Sequence, residues 1–362
     1  MNVITFEATP NIAVIKYWGK RDDVLILPTN SSISMTLDSL KTRTSVMFDP
    51  KLKSDELWLN GKEVDLTGDS EASERLKQLD VIREKAGIKE KARIVSINCF
   101  PTAAGFASSA SGLAALACAA SKAAGLKLST AELSVLARLG SGSASRSVLG
   151  GFVEWKKGEK IDGSDSFAVQ LAPALHWKEM RVVSVVVSSG KKKISSRVGM
   201  KQTVANSVLF KSRLEYLPKT IGEMETAIKQ KDFEKFALLA MRDSNNMHAV
   251  MLDTQPPIIY LNDKSKMLIE LVNEINETAG KIIAGYTFDA GPNCHIYTLE
   301  ENVKTITTAL QKIEGIEKIV VSKPGNGPQE LSDAASHLID PSNGKPREHY
   351  FDESKNAIVV KL

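Results

Sequence analysis

The sequence predicts an α+β protein of two domains, and three observations carry that expectation. The chain has 362 residues, long for a single hydrophobic core and comfortable for two, since domains usually run about 100 to 200 residues. Its first 60 residues read as short strands and turns, whereas three clear helical periodicities fall in the second half. A hydrophobic share of 43% beside 25% charged residues is that of an ordinary soluble globular chain, which excludes wholesale disorder.

Taken in order, VITFEA (3–8), SSISMTL (31–37) and RTSVMFD (43–49) read as strands. ELWLNGKEV (56–64) is a hairpin turning at Asn60-Gly61. Residues 71–86 carry an amphipathic helical pattern, and ARIVSINCF (92–100) reads as a largely buried strand. The small-residue run PTAAGFASSASG (101–112) then leads into an alanine-rich helix that stops at Gly125. Ser129 and Glu132 have capping-box spacing, with Leu128 and Leu133 placed as a hydrophobic staple, so a second helix starts there and runs into GSGSASRS (140–147). FVEWKK (152–157) and RVVSVVV (181–187) are strand-like, and the SSGKKK that follows marks a junction or loop. The expected boundary lies near 183, which divides the chain into domains 1–182 and 183–362.

In the second half, helices are expected around Phe233, Phe236 and Ala240, around Leu268 to Ile275 with Gly280 as the stop, and around Val303, Ile306, Leu310 and Ile313. KIIAGYTF, the turn DAGPN and CHIYTL (281–299) read as a hairpin, and KIVVSKPGNGPQE (318–330) as a strand with a glycine turn. Residues 333–362 form a polar extension with a final apolar IVV.

A net charge of +4, from 47 basic and 43 acidic residues, with only 6% aromatics, argues against a nucleic-acid partner and leaves anionic small molecules open. Cys99, Cys118 and Cys294 are scattered and lack CxxC spacing, so neither a disulfide framework nor a zinc site is expected. The start of the chain has no basic-then-apolar signal pattern and no stretch reaches the roughly 18 apolar residues of a membrane span. The expectation is a cytoplasmic protein with no membrane association; the final VKL matches a peroxisomal SKL address only in its last two positions. None of the five histidines is spaced for a metal, so no protein-bound metal is expected, and His248 is expected to pack within its helix.

The stretch 101–112 is suited to phosphates. Backbone amides of a Gly/Ser loop at a helix N-terminus converge, carry the positive end of the helix dipole, and are joined here by the hydroxyls of Ser108, Ser109 and Ser111. The alternative is that small residues serve close helix packing. Neither GxxxxGK before Ser/Thr nor a strand followed by GxGxxG occurs, so a nucleotide would be held by another kind of loop.

PTAAGFASSASG resembles the phosphate loop of the GHMP kinase superfamily, in the variant of the mevalonate diphosphate decarboxylase family. The similarity extends in order through ATPNIAVIKYWGKRD (8–22) with LPTNSSISMTL (27–37), GSGSASRS (140–147), ISSRVGM (194–200), DSNNMHA (243–249) and YTFDAGPN (286–293). Phe106, where the family usually has Leu, is a small departure. The resemblance implies a two-domain GHMP kinase-like fold, with an N-terminal domain like ribosomal protein S5 domain 2, a ferredoxin-like C-terminal domain and the active site in the cleft between them. It also implies an ATP-dependent decarboxylation of mevalonate 5-diphosphate to isopentenyl diphosphate, with Mg²⁺ arriving on ATP, and a homodimer.

In that reading the 3-hydroxyl is phosphorylated, leaves, and CO₂ departs to quench the charge at C3. Asp289, in a turn at a strand end, is the base or orienter for the hydroxyl, although Asp-Ala-Gly-Pro is also ordinary turn chemistry. Arg146 clamps the substrate carboxylate with its fork of donors, while Ser141 and Ser143 orient substrate and transferred phosphoryl group. For the diphosphate tail, IKYWGKR offers Lys16, Tyr17, Lys20 and Arg21; the resemblance favours Tyr17, Lys20, Ser196 and Arg197. ATP phosphates are assigned to Ala104, Gly105, Ala107, Ser108 and Ser109, with the two serines also catalytic. Lys192, in the run 191–193, is either part of a solvated turn or a contact to ATP on closure. The rivals are a 3-kinase acting on mevalonate phosphate, a monophosphate decarboxylase, and a non-catalytic ATP-binding sensor of the same fold.

Overall fold

A computed structural model describes residues 1–68, 70–99, 108–187, 193–355 and 357–361. The chain opens with strands β1 (Ile4–Ala8), β2 (Asn11–Ile15), β3 (Lys20–Asp22), β4 (Leu27–Pro28), β5 (Ser32–Thr36), β6 (Thr42–Asp49), β7 (Glu56–Leu59) and β8 (Lys62–Val64). Helices α1 (Ser70–Arg75) and α2 (Gln78–Ala86) precede β9 (Lys91–Asn98), and α3 (Ser108–Ala123) and α4 (Thr130–Gly140) follow it. A short 3₁₀ turn (Gly142–Ser145) leads to β10 (Phe152–Trp155), β11 (Ala168–Ala172) and β12 (Met180–Val186). Four helices come next: α5 (Ser196–Asn206), α6 (Phe210–Gln230), α7 (Phe233–Leu252) and α8 (Asp263–Ala279). The chain then forms β13 (Ala284–Phe288), β14 (Cys294–Leu299), α9 (Val303–Leu310), β15 (Lys318–Ser322), β16 (Gln329–Glu330), β17 (His349–Asp352) and β18 (Ala357–Val360).

Three sheets organise these elements. The first runs β16-β1-β6-β9-β7-β8, antiparallel except for the β7/β9 pair. Alanine-rich α3 lies on its β1/β6 face, where Ala114, Ala117 and Ala120, lacking long side chains, let the helix approach Ala8, Val46 and Ile94 closely. The second sheet, β11-β10-β5-β2, is antiparallel, and both β2 and β5 are buried along their whole length. The third runs β13-β14-β12-β15. Counted within this half, its strands stand in the order 2-3-1-4, with helices between the first and second and between the third and fourth, which is the ferredoxin-like βαββαβ arrangement.

Helix α7 packs against both β2 and β13, and one apolar core runs through the junction, joining Ile12, Val14, Ile33 and Met35 of the first half to Val182, Phe236, Ala240 and Tyr297 of the second. Local signals are realised where they were strongest. Ser129 caps α4 through the Glu132 amide while the Glu132 carboxylate accepts from the Ser129 amide at 2.9 Å. Asn60 and Gly61 turn the β7–β8 hairpin at φ +50° and +78°.

Two expectations are corrected and one is made more definite. The helix expected over 71–86 is two helices, because hydrogen bonds from Leu76 to Ser73 and from Lys77 to Glu74 tighten the chain into a 3₁₀-type turn. Leu76, Leu79 and Ile82, spaced by three, all point inward as a result. The boundary expected near 183 lies three residues after the start of β12, whose strand pairing begins at Met180. The extension 333–362, assigned to the second domain, packs with the first: the Leu338 amide donates to Ser45 Oγ at 2.8 Å, and Leu338 and Ile339 lie in a cluster with Val3, Met47 and Val95. Among the described residues, no helix is long and apolar enough to cross a membrane.

Candidate active site

Strand β2 ends at Ile15, and the chain leaves the sheet at Lys16, Tyr17 and Trp18. Facing it across the junction is the turn 289–293 between β13 and β14. That turn is held from three sides: Ser244 Oγ accepts from the Phe288 amide at 2.9 Å, Ser265 Oγ donates to the Pro292 carbonyl at 2.8 Å, and Asn293 Oδ1 accepts from the Val187 amide at 2.9 Å. Helices α7 and α8 and strand β12 thus aim Asp289 toward the first half. Lys16 Nζ donates to Asp289 Oδ1 at 2.7 Å, with the lysine side chain 2% exposed and the aspartate 37%.

Arg146 follows the 3₁₀ turn after α4 and is 3% exposed. Its Nε donates to Asn11 Oδ1 at 3.0 Å and its Nη1 to Ser32 Oγ at 2.6 Å, both neutral oxygens. Burial pushes the guanidinium down to about 10, and Asp289 is the largest opposing influence, followed by Tyr17 and Tyr297. Asp289, Lys16 and Arg146 therefore share one electrostatic neighbourhood. His248 and His295 belong to it as well: burial pushes each down to about 4 in the field of Lys16 and Asp289, so both are neutral near pH 7. His248 packs from its helix beside Phe288, ring centres 6.2 Å apart.

Ser141 and Ser143, in the turn before Arg146, have hydroxyls 3.2 Å apart. Gly142 between them is required by space, since a Cβ there would meet Tyr17 Cε1 at 2.7 Å and Trp155 at 2.8 Å. The Tyr17 ring stacks edge-on to Trp155 at 4.8 Å, and its hydroxyl is buried with no hydrogen-bond partner among the described residues. Burial raises the Tyr17 pKa, opposed chiefly by Arg197.

The remaining assignments fall out less uniformly. Lys20 is held by Asp23 at 2.6 Å, and Arg21 donates to the Gly158 and Lys160 carbonyls. Ser196 is the first residue of α5; Arg197 beside it donates to the Gly140 carbonyl at 2.9 Å and pairs with Glu74 of α1 at 2.8 Å. Ser109 is half-buried in the first turn of α3, whereas Ser111 is fully buried against Thr42 at 2.6 Å, a packing position rather than a ligand donor. Ala104, Gly105, Ala107 and Lys192 lie outside the described residues, as does the side chain of Ser108. A cleft of about 760 Å³ between the β7–β8 hairpin and α1–α2 meets this site at Glu74; Asp55, Glu56, Glu63, Asp65 and Asp80 on its walls make it unsuited to a phosphate.

Sequence reasoning offered Lys16 as one of four groups for the diphosphate, did not select it, and did not find its pairing with Asp289. The available signal was its position, a lysine closing the fully buried run NIAVI.

A two-domain α+β scaffold with a cation–carboxylate site at its interdomain junction defines the class, a GHMP kinase-fold enzyme. Residues 8–168 match the diphosphomevalonate decarboxylase-like N-terminal domain and residues 182–321 the mevalonate 5-diphosphate decarboxylase C-terminal domain. The chain is 45% identical to the diphosphomevalonate decarboxylase of Schizosaccharomyces pombe, over 95% of this chain and 97% of that one. It superposes on mevalonate diphosphate decarboxylase from Staphylococcus aureus with a TM-score of 0.85 at 39% identity, covering 91% of this chain and 98% of the other. A further solved structure, MDDEF in complex with MVAPP, AMPPCP and magnesium, gives a TM-score of 0.83 at 38% identity, covering 91% and 99%. The chain belongs to the diphosphomevalonate decarboxylase family.

Proposed function

We propose that this protein catalyses the ATP-dependent decarboxylation of mevalonate 5-diphosphate to isopentenyl diphosphate, releasing ADP, phosphate and CO₂. The observation that carries the reading is the meeting, at the junction of the two halves, of the Lys16–Asp289 pair with a buried Arg146 bonded to neutral oxygens.

The tertiary 3-hydroxyl sits at Asp289, which takes its proton as the oxygen attacks the γ-phosphorus of ATP. Lys16, on the same carboxylate, fixes its orientation and offsets charge as the proton moves. Arg146 receives the substrate carboxylate; its guanidinium fork sets the plane of that group so that the C–CO₂ bond aligns with the departing 3-phosphate. Loss of phosphate leaves positive charge at C3, and the electrons of the C–CO₂ bond form the alkene. Ser141 and Ser143 supply hydroxyls to the substrate and the transferred group. Tyr17, Lys20, Ser196 and Arg197 hold the diphosphate, for which Lys20 and Arg197 exchange Asp23 and Glu74.

ATP enters as its Mg²⁺ complex, which is a substrate. Its phosphates are assigned to the loop 101–112 through Ala104, Gly105, Ala107, Ser108 and Ser109, and to Lys192. Neutral His248 and His295 keep the surroundings of Asp289 free of additional cations near pH 7.

The deciding experiment incubates purified protein with ATP, Mg²⁺ and mevalonate 5-diphosphate and follows ADP, phosphate and CO₂ together, with mevalonate monophosphate as the parallel substrate. Equal yields of all three from the diphosphate are expected. ADP without CO₂ would make the protein a 3-kinase, and turnover of the monophosphate alone would change the substrate. We also take the protein to be a cytoplasmic homodimer, to be checked by sedimentation at twice the monomer mass.

A further inference from the structure

Arg213 of α6 and Asp243 of α7 form an ion pair at 2.9 Å in which both side chains are 0% exposed, the one such pair among the described residues. A buried ion pair is weak evidence for stability, because desolvating two charges offsets most of their attraction. This one also leaves Arg213 Nε buried without a hydrogen-bond partner among the described residues, at a further cost. Its geometry points elsewhere. Asp243 Oδ2 accepts from the backbone N–H of Lys16 at 2.6 Å, and Arg213 Nη2 donates to the backbone carbonyl of Lys16 at 3.2 Å. One ion pair thus grips both polar atoms of a single peptide residue in the other half of the molecule.

Lys16 needs such a grip. It lies just past the last β2–β5 pair, Ile15 opposite Ile33, where the register has already slipped, so the sheet does not satisfy its backbone groups. Asn30 Nδ2 adds a bond to the same carbonyl at 3.0 Å, and Arg213 Nη1 is braced on Asn246 Oδ1 at 2.6 Å. From that clamped backbone the Lys16 side chain reaches Asp289.

We propose that Arg213 and Asp243 are positioning residues for the reaction: by fixing the Lys16 backbone they set where Nζ meets Asp289, and so where the carboxylate stands relative to the 3-hydroxyl. The inference rests on the roles given above to Lys16 and Asp289. It assigns to a pair that touches no substrate the task of registering the second half on the first at the reacting atoms.

The test is a double-mutant cycle between Asp243→Asn and Lys16→Met, reading kcat, both KM values and Tm. Asp243→Asn keeps an acceptor for the Lys16 amide but loses the charge that orients Arg213. The expected result is a fall in kcat on the order of 10²-fold with little change in either KM, the signature of a misplaced reacting group. In the Lys16→Met background the same substitution should change kcat by less than about twofold, since its intermediary is gone. Equal factors in both backgrounds, or a lowered Tm with full kcat, would overturn the proposal. Arg213→Lys, which keeps the buried charge and removes the fork, repeats the cycle should Asp243→Asn not fold. Full turnover by Lys16→Met alone would instead overturn the site reading itself.

Discussion

Arg146 is an arginine whose described hydrogen bonds go to Asn11 and Ser32 rather than to an acid, inside the protein. Removing the partner of a buried charge costs on the order of 3 to 5 kcal/mol, and with only the through-space field of Asp289 and two tyrosines to offset burial, Arg146 is a destabilised cation in the ligand-free protein, as the proposed clamp on the substrate carboxylate requires. Arg146→Met should therefore raise Tm in the absence of ligands while abolishing decarboxylation; a lowered Tm in calorimetry would show that the charge is already compensated. Arg146→Lys should also be slow, because a point charge cannot reproduce the fork. Asp289→Asn should retain ATP binding and lose about 10² to 10⁴ in turnover, measured as CO₂ release. Near-normal turnover would remove Asp289 from the chemistry. Local pattern placed Arg146 in a Ser/Gly/Ala cluster and Asp289 in a Gly-Pro turn, but their proposed roles came from the family resemblance. The Lys16 contacts were not, since Asp289 lies 273 positions away and Asp243 lies 227 away, and local pattern carries no information about such pairings.

Helix α1 meets the start of α5 through Glu74 and Arg197, so the arginine assigned to the diphosphate stands against a carboxylate until substrate displaces it. Half-exposed pairs of this kind are worth about 0 to 1 kcal/mol, a factor of at most about five. Glu74→Gln should lower KM for mevalonate 5-diphosphate by up to that factor at low salt, with the difference shrinking as salt rises. A raised KM would mean that Glu74 holds Arg197 in its working position. Elements with strong local signals, such as capped α4 and the β7–β8 hairpin, were legible. Helix α6, the longest at 21 residues, was not: Pro218 sits inside it, a residue that normally argues against a helix interior, and packing of Leu217, Met224 and Ile228 into the shared core overrides it. The alanines revealed helix α3 but not its start, which lies at Ser108 inside the stretch 101–112 expected as a loop, while the short β2, which delivers Lys16, lacked the alternation that marks half-buried strands because every residue of it is buried.

At the scale of the whole molecule, the shared core makes the two halves one cooperative body, and its buried histidines tie stability to pH. Burial holds His248 and His295 at about 4 when folded against about 6.5 unfolded, so the unfolded chain takes up protons between those values that the fold refuses. Stability is therefore lost as pH falls from about 6.5 to 4, by on the order of 3 kcal/mol for each histidine. The Tm of His248→Gln should fall less steeply across that window than that of the parent, and parallel curves would exclude His248 as a source. The closure of the first sheet reaches further. β1 has β6 on one side, while its other edge is covered, among the described residues, by the short segment Gln329, Glu330 and Leu331, the last donating to the Thr5 carbonyl at 2.9 Å. On a ribosome adding roughly 5 to 20 residues per second, that covering segment emerges about 15 to 60 s after the strand it covers. Throughout translation the nascent chain carries an open strand edge, the feature that invites pairing with a neighbouring polypeptide. Strand β1 is thus sealed late, and until residues 329–331 arrive its open edge is available to neighbouring chains on a polysome.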